Sequence, residues 1–256
     1  MPPVGFSLYN ALQANYNHRF QDGLSVMVSY TYSKFIDNVE GAQSWSYTSF
    51  NGPANNYDLA AEKSVDANDI PHSLVASYSY KLPIGKGRAV GSQMSRTADA
   101  FAGGWEVSGI STFKSGIPLS VIGNDYNSYG GNPRPDVTGD PHIGKRSLNE
   151  WFNTAAFSYA AYETFGTAPR YISNLRAPRY TNFDLAIYKN WKLPREMQMQ
   201  FRAEMYNAFN HPNFYAPNTS YPGCDPNAVV NCPSGFGQIT SAFPSREVQM
   251  AGKFYW

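Results

Sequence analysis

The residues able to do chemistry are few and scattered. Four histidines, His18, His72, His142 and His211, show no pair at the spacing of a helical or zinc-ribbon site, so they read as surface or interface residues. Cys224 and Cys232 enclose seven residues of a Pro- and Asn-rich loop. In an oxidising exterior such a pair forms a loop-tethering disulfide more readily than a metal site, because two thiolates cannot complete a tetrahedral shell. Asp136, Asp140 and Glu150 would serve as acid and base of a glycosidase only if two of them converged within ~10 Å. No Ser-His arrangement, phosphate loop or dinucleotide fingerprint accompanies them, and Gly85-Lys86-Gly87 and Gly103-Gly104 stand in turns. They read as turn formers; neither an enzyme nor a cofactor is expected. The aromatics Trp45, Tyr47, Phe50, Tyr57, Tyr126, Tyr129, Trp151 and Tyr162 fall in polar stretches, where they either stack on a sugar or peptide or pack loop against loop.

Composition narrows the setting. The chain has 256 residues, with Lys+Arg 20 against Asp+Glu 19, so its net charge of +1 supplies no field for a nucleic-acid backbone. Charged residues make up 15% and aromatics 16%, with 19 Tyr and 16 Phe, whereas a soluble domain carries ~25% charge. Such a surface, built from Asn, Ser, Tyr and Gly, suits a molecule that only partly meets water. No run approaches the ~18 apolar residues of a spanning helix, which leaves a β-barrel as the membrane option.

The elements follow a period of two. Segments 6–20 and 24–36 alternate, Leu8, Leu12, Ala14 and Tyr16 against Gln13, Asn15, Asn17 and Arg19, then Leu24, Val26, Val28 and Tyr30 against Ser25, Ser29 and Thr31. Gln21-Asp22-Gly23 joins them as a tight turn. Alternation returns at 70–82, 105–117, 182–193 and 197–209, the last two joined by the turn Pro194-Arg195-Glu196, and again in the closing strand, where Val248, Met250, Phe254 and Trp256 share a face. The connections are short at 21–23 and 194–196, a flexible Gly- and Lys/Arg-rich turn at 83–104, and long and polar at 37–69, 123–180 and 210–245. Prolines argue against regular structure in the second long excursion, apart from a short helix or strand around 147–157.

Ten alternating residues, at ~3.3 Å rise and ~40° tilt, climb about 25 Å, the height of the lipid-facing band. The expected fold is all-β: an antiparallel up-and-down transmembrane β-barrel of about seven long strands, with long extracellular loops and short periplasmic turns. Polar-face Arg19, Glu106, Lys114, Arg202 and Glu204 are expected to form a cross-strand charge network in the lumen. Bacterial barrels have at least eight strands and an even number, and Met1-Pro2-Pro3-Val4-Gly5 shows no basic and apolar leader. Residues 1–256 are therefore expected to be the carboxy-terminal part of a larger barrel, completed by strands outside this sequence. The alternative is a soluble or surface-exposed β-protein that binds glycans through its loops, which must cover the apolar faces with a second sheet.

The chain resembles the carboxy-terminal barrel portion of TonB-dependent outer-membrane receptors of the Oar-like group, which carry a carboxypeptidase-regulatory-like domain. The resemblance runs through Tyr9-Asn10-Ala11-Leu12-Gln13, Ser29-Tyr30-Thr31-Tyr32-Ser33-Lys34, Lys81-Leu82-Pro83-Ile84-Gly85, Gly104-Trp105-Glu106-Val107-Ser108-Gly109-Ile110 and Ser115-Gly116-Ile117-Pro118. It continues in Trp151-Phe152-Asn153-Thr154-Ala155-Ala156-Phe157, in the stretch from Phe201-Arg202-Ala203-Glu204 to Asn210-His211-Pro212-Asn213-Phe214, and in the closing strand. One departure is Asp69-Ile70-Pro71-His72, where the family usually has Arg before the His. The resemblance implies location in the bacterial outer membrane and import of an oligosaccharide, peptide or metal chelate. It implies as partners membrane lipid, the remaining barrel strands and plug, and the TonB complex through the plug, which has no counterpart here. It also implies that Phe254 and Trp256 are the signal read by the barrel-assembly machinery.

Overall fold

The computed structural model describes residues 5–20, 23–38, 53–55, 57–123, 133–222 and 235–256. Among these residues the strands are β1 (Ser7–Arg19), β2 (Leu24–Asp37), β3 (Ser64–Val65), β4 (His72–Lys81), β5 (Trp105–Lys114), β6 (Pro118–Leu119), β7 (Asp136–Val137), β8 (Phe157–Ser158), β9 (Ile172–Arg176), β10 (Tyr180–Lys192), β11 (Gln198–Tyr206) and β12 (Glu247–Tyr255), with one helix, α1 (Arg96–Ala102). Seven of them are long, nine to fourteen residues each, and form one antiparallel meander in the order β1-β2-β4-β5-β10-β11-β12. The short β3 pairs with the upper end of β2. The sheet is not closed.

Register carries the two-faced pattern across every strand. Directly opposed residues of an antiparallel pair point to the same side. Leu12 faces Tyr32, Tyr30 faces Leu74, Leu74 faces Phe113, Ile187 faces Val107 and Ala203, and Met199 faces Phe254. One side is thus apolar from β1 to β12. The other side runs Asn15, Ser29, Val75, Thr112, Asn182 and, further along, Gln200 and Lys253, mostly polar. The apolar side is bare: Leu12 is 66% exposed and Met250 73%. Among the described residues no second sheet covers it, so the arrangement is a membrane sheet and not a sandwich.

The short connections share one edge and the long ones the other. Arg195 and Glu196 both take positive φ, the twist that matches a two-stranded hairpin, and the Leu193 N–H donates to the Met197 carbonyl at 2.8 Å. The connection 83–104 is not the flexible turn the composition suggests, because it contains α1. Ser95 caps the helix by accepting from the Ala98 N–H at 3.2 Å. Its last carbonyls take donors from the apolar side of the sheet: Trp191 Nε1 donates to Ala100 O at 2.6 Å, Trp105 Nε1 to Phe101 O at 2.8 Å, and Lys189 Nζ to Asp99 O at 3.2 Å and to Gly103 O. This explains a lysine on the lipid-facing side. Its charge lies against the negative end of a helix and between two indole rings, a favourable place for a cation.

The long loops differ from expectation in the same sense. They hold β3, β7, β8, β9, a 3-10 turn at Thr154–Ala156, and a hydrophobic core of Leu119, Val121, Phe152, Phe157, Ile172 and Leu175. Prolines exclude long regular elements there, yet they do not prevent close packing of short ones. The short pair β6 and β9 prolongs the register of β5 and β10: Tyr180 faces Lys114, the Ala177 N–H donates to Ile117 O at 2.9 Å, and Pro118 faces Arg176. Gly116 permits this extension, since a Cβ there would stand 1.8 Å from Ala177 O.

Candidate functional site: the loop cap and the polar face

Three long connections meet above the sheet as one cap, built from residues far apart in sequence. Asp37 ends β2, and Glu62 and Asp69 lie in the first loop; Arg134, Arg170 and Arg176 lie in the second. Arg134 pairs with Glu62 at 2.5 Å, Arg176 with Asp69 at 2.6 Å, and Arg170 with Asp37. All but the Arg176 side chain are nearly dry, and Arg176 also donates to Asp69 O at 2.8 Å. Asp69 further accepts from the Phe35 N–H at 2.6 Å, which fastens the clasp to β2. The third loop joins through rings. Phe236 contacts Phe152, Phe157 and Tyr221 at 5.0, 5.8 and 5.3 Å in edge-to-face geometry, and the Tyr221 N–H donates to Ile122 O at 2.8 Å. Burial, with Tyr159 close by, pushes the Tyr221 phenol above its ordinary pKa. A cleft of ≈360 Å³ remains between the first two loops, lined among others by Lys63, Val65, Val137, Tyr171 and Asn174.

Below the cap the polar face presents hydroxyls, amides and a few charges. Ser79 Oγ donates to Glu106 at 2.6 Å, Ser29 Oγ to Asn15 at 2.7 Å, and Gln200 Nε2 to Asn190 at 2.8 Å. Of the expected charge network only Arg202 with Glu204 forms, at 2.5 Å along one strand. Among the described residues Arg19 and Lys114 have no ion pair. Glu106 and Lys114 stand eight positions apart on β5, ~26 Å at ~3.3 Å per residue, too far to pair. Such a face suits a water-filled lumen and polar solutes.

The sequence-selected residues are dispersed. Tyr57 and Tyr162 are exposed on the cap. Trp151 is half-buried against the cap core, and its indole N–H donates to Arg176 O at 2.8 Å. Trp45, Tyr47, Phe50, Tyr126, Tyr129, Cys224 and Cys232 lie outside the described residues. Asp136 accepts from the Thr167 N–H and Asp140 from the His142 N–H, both at 2.9 Å, so each braces local backbone. His18 packs beside Phe20, His72 bonds the Tyr30 hydroxyl at 2.9 Å, and the His211 N–H donates to Asn207. Phe254 and Trp256 stack at 6.3 Å on the short-turn edge. Sequence reasoning missed the three clasp arginines and their acids. Their one local signal is Arg beside Pro in a loop, as in Pro133-Arg134-Pro135 and Pro169-Arg170.

The motifs that carry the family resemblance shape this assembly. The Asn207 side chain holds both N–H and C=O of His211, and Asn213 does the same for Thr181, locking the third loop onto β10 and β11. Phe152 and Phe157 form the cap core, and Asn153 caps the turn between them by accepting from the Ala155 N–H at 3.2 Å. No curated protein matches the chain, and no solved structure matches it. A family model described as an outer membrane beta barrel domain matches residues 1–249. That match agrees with a bare apolar sheet face, a polar opposite face and long connections gathered on one edge: the chain belongs to the outer membrane beta barrel domain family and resides in the bacterial outer membrane.

Proposed function

We propose that the chain is the carboxy-terminal barrel portion, residues 1–256, of a TonB-dependent receptor of the Oar-like kind, a non-enzymatic importer of an oligosaccharide, peptide or metal chelate. The observation that carries this reading is the pairing of a polar sheet face with a cap assembled from all three long loops at one end. A simple pore needs no such clasped cap, whereas a receptor must hold its ligand above the lumen before passage. Strand direction supports a larger assembly. β1 and β12 are the sheet's edges and run the same way, so closing a strictly antiparallel barrel takes an odd number of further strands. An open edge in hydrocarbon costs several kcal/mol per unpaired group, which argues for such completion. In this reading a plug couples the barrel to the TonB complex, Phe254 and Trp256 engage the barrel-assembly machinery, a Cys224 to Cys232 disulfide tethers the third loop, and Tyr57, Trp151 and the aromatics of the first two loops contact the ligand.

The test is growth of a strain lacking the protein on an oligosaccharide as carbon source, an oligopeptide as nitrogen source, or a ferric chelate as iron source. The expected result is loss of growth on one of the three, reproduced when energy coupling through TonB is disrupted. Unchanged growth on all three overturns the importer reading.

A further inference from the structure

Beside the clasp, and sharing Arg176 with it, a cavity of ≈570 Å³ opens at the upper rim where β5 leaves the sheet. Arg146, Arg176 and Arg179 line it together with Trp151, Ser115 and Asn174, and none of its lining residues is acidic. The charge is only partly compensated. Asp69, which does not line the cavity, pairs with Arg176 at 2.6 Å. Arg146 lies over the Trp151 ring at 5.2 Å, and among the described residues neither Arg146 nor Arg179 forms an ion pair. Two guanidinium charges thus face an open, water-accessible space beside a hydroxyl and an amide. That donor set matches an oxyanion with several acceptor oxygens, because a guanidinium fork meets a phosphoryl group in bidentate geometry.

The height of the cavity names its neighbour. The Ser115 N–H donates to His72 O at 2.9 Å, which prolongs the pairing of β4 with β5 by one residue and keeps the alternation of β5. Ser115 therefore follows Phe113 on the apolar side, ~7 Å higher at ~3.3 Å per residue. Phe113, in edge contact with Phe183 at 5.4 Å, sits at the top of that side, where aromatic rings mark the boundary of a bilayer. Arg179 faces Ser115 in the continued register of β10 with β5. We propose that the cavity lined by Arg146, Arg176 and Arg179 binds a phosphoryl group presented by the headgroup of an outer-leaflet lipid, anchoring the cap to the membrane surface. This goes beyond import and rests only on the membrane orientation of the sheet. Its chemistry is shared with free phosphate, and height on the lipid side favours the lipid source.

The test uses the whole outer-membrane protein that carries the chain, purified in detergent and offered lipid A with its phosphates, lipid A stripped of them, or inorganic phosphate, with bound species counted by native mass spectrometry. Phosphorylated lipid A is expected to be retained, and the double variant Arg146→Gln with Arg179→Gln to lose about tenfold in retention, as expected when two charge-assisted contacts vanish. Stripped lipid should bind the parent chain as weakly as phosphorylated lipid binds the variant. Arg96→Gln, on α1 at the opposite edge, should change nothing, and heat-modifiable migration on gels verifies that each variant is folded. Equal retention by the double variant, or equal binding of stripped lipid, overturns the proposal. Displacement of lipid by millimolar inorganic phosphate overturns the lipid source. None of these outcomes bears on the importer reading, which is scored by growth.

Discussion

The sheet and the cap draw on the same apolar residue types and use them oppositely. Leu12 and Met250 stand bare on the sheet, while Phe152 and Leu175 in the cap have no exposed surface at all. The sheet has no core of its own, so its apolar free energy is realised against lipid, whereas the cap buries its apolar groups against protein as a water-soluble domain does. Charge is inverted as well. The cap holds Arg134 and Arg170 in dry, long-range ion pairs, and the membrane sheet keeps nearly all its charges on the polar side; the exceptions are Lys189, tied to a helix end, and Lys34, at the upper end of β2 beside Asp69. One chain thus meets two solvents, and residue type alone does not say which region is stable in which.

The comparison can be broken most severely at the cap. Arg170→Met leaves Asp37 buried without its partner, a loss of about 3–5 kcal/mol. Limited proteolysis should then open the first two loops while the strands stay protected, and adding Asp37→Asn should restore much of the protection. Failure of the second substitution to restore it would show that Arg170 acts by packing alone. Next in size, Leu12→Arg puts a charge at mid-height on the lipid side and should cost about 2–4 kcal/mol of folding into a bilayer. The same change is almost neutral if that side faces water, so denaturant titration in lipid vesicles decides between the two. The smallest effect sharpens the join between the regions. Gly116→Ala forces the extension of β5 away from Ala177 O and should cost about 1–3 kcal/mol, read as faster amide exchange at β6 and β9 with β5 and β10 unchanged.

Much of the sheet was legible because its signal is local. Successive side chains of a strand point to opposite sides by covalent geometry, so Leu24, Val26 and Val28 against Ser25 and Ser29 announce both strand and face, and the ends of β1, β2 and β10 fall within two residues of the alternation. The two far ends differ: past Lys114 the alternation of 105–117 runs on through the rim contacts of Ser115 with His72 and of Ile117 with Ala177 into β6, whereas 197–209 stops at Tyr206 because Asn207 adopts a positive φ. The helix at Arg96–Ala102 escaped notice because seven residues carry too little periodicity and its carbonyls are satisfied by Trp105, Lys189 and Trp191 from other strands.

By itself the sequence determined the membrane-facing half of this protein: strand count, the two faces, the asymmetry of the connections and the all-β class follow from a period of two repeated over spans that match a bilayer. Only the tertiary structure decided that the long loops are a packed cap, that Asp37, Glu62 and Asp69 find Arg170, Arg134 and Arg176, and that Trp151 turns inward beside an arginine-lined cavity. The physical reason is range. Alternation is written in neighbouring residues, whereas the clasp joins positions 72 to 133 residues apart, whose encounter depends on the strands having first fixed where each loop begins and ends.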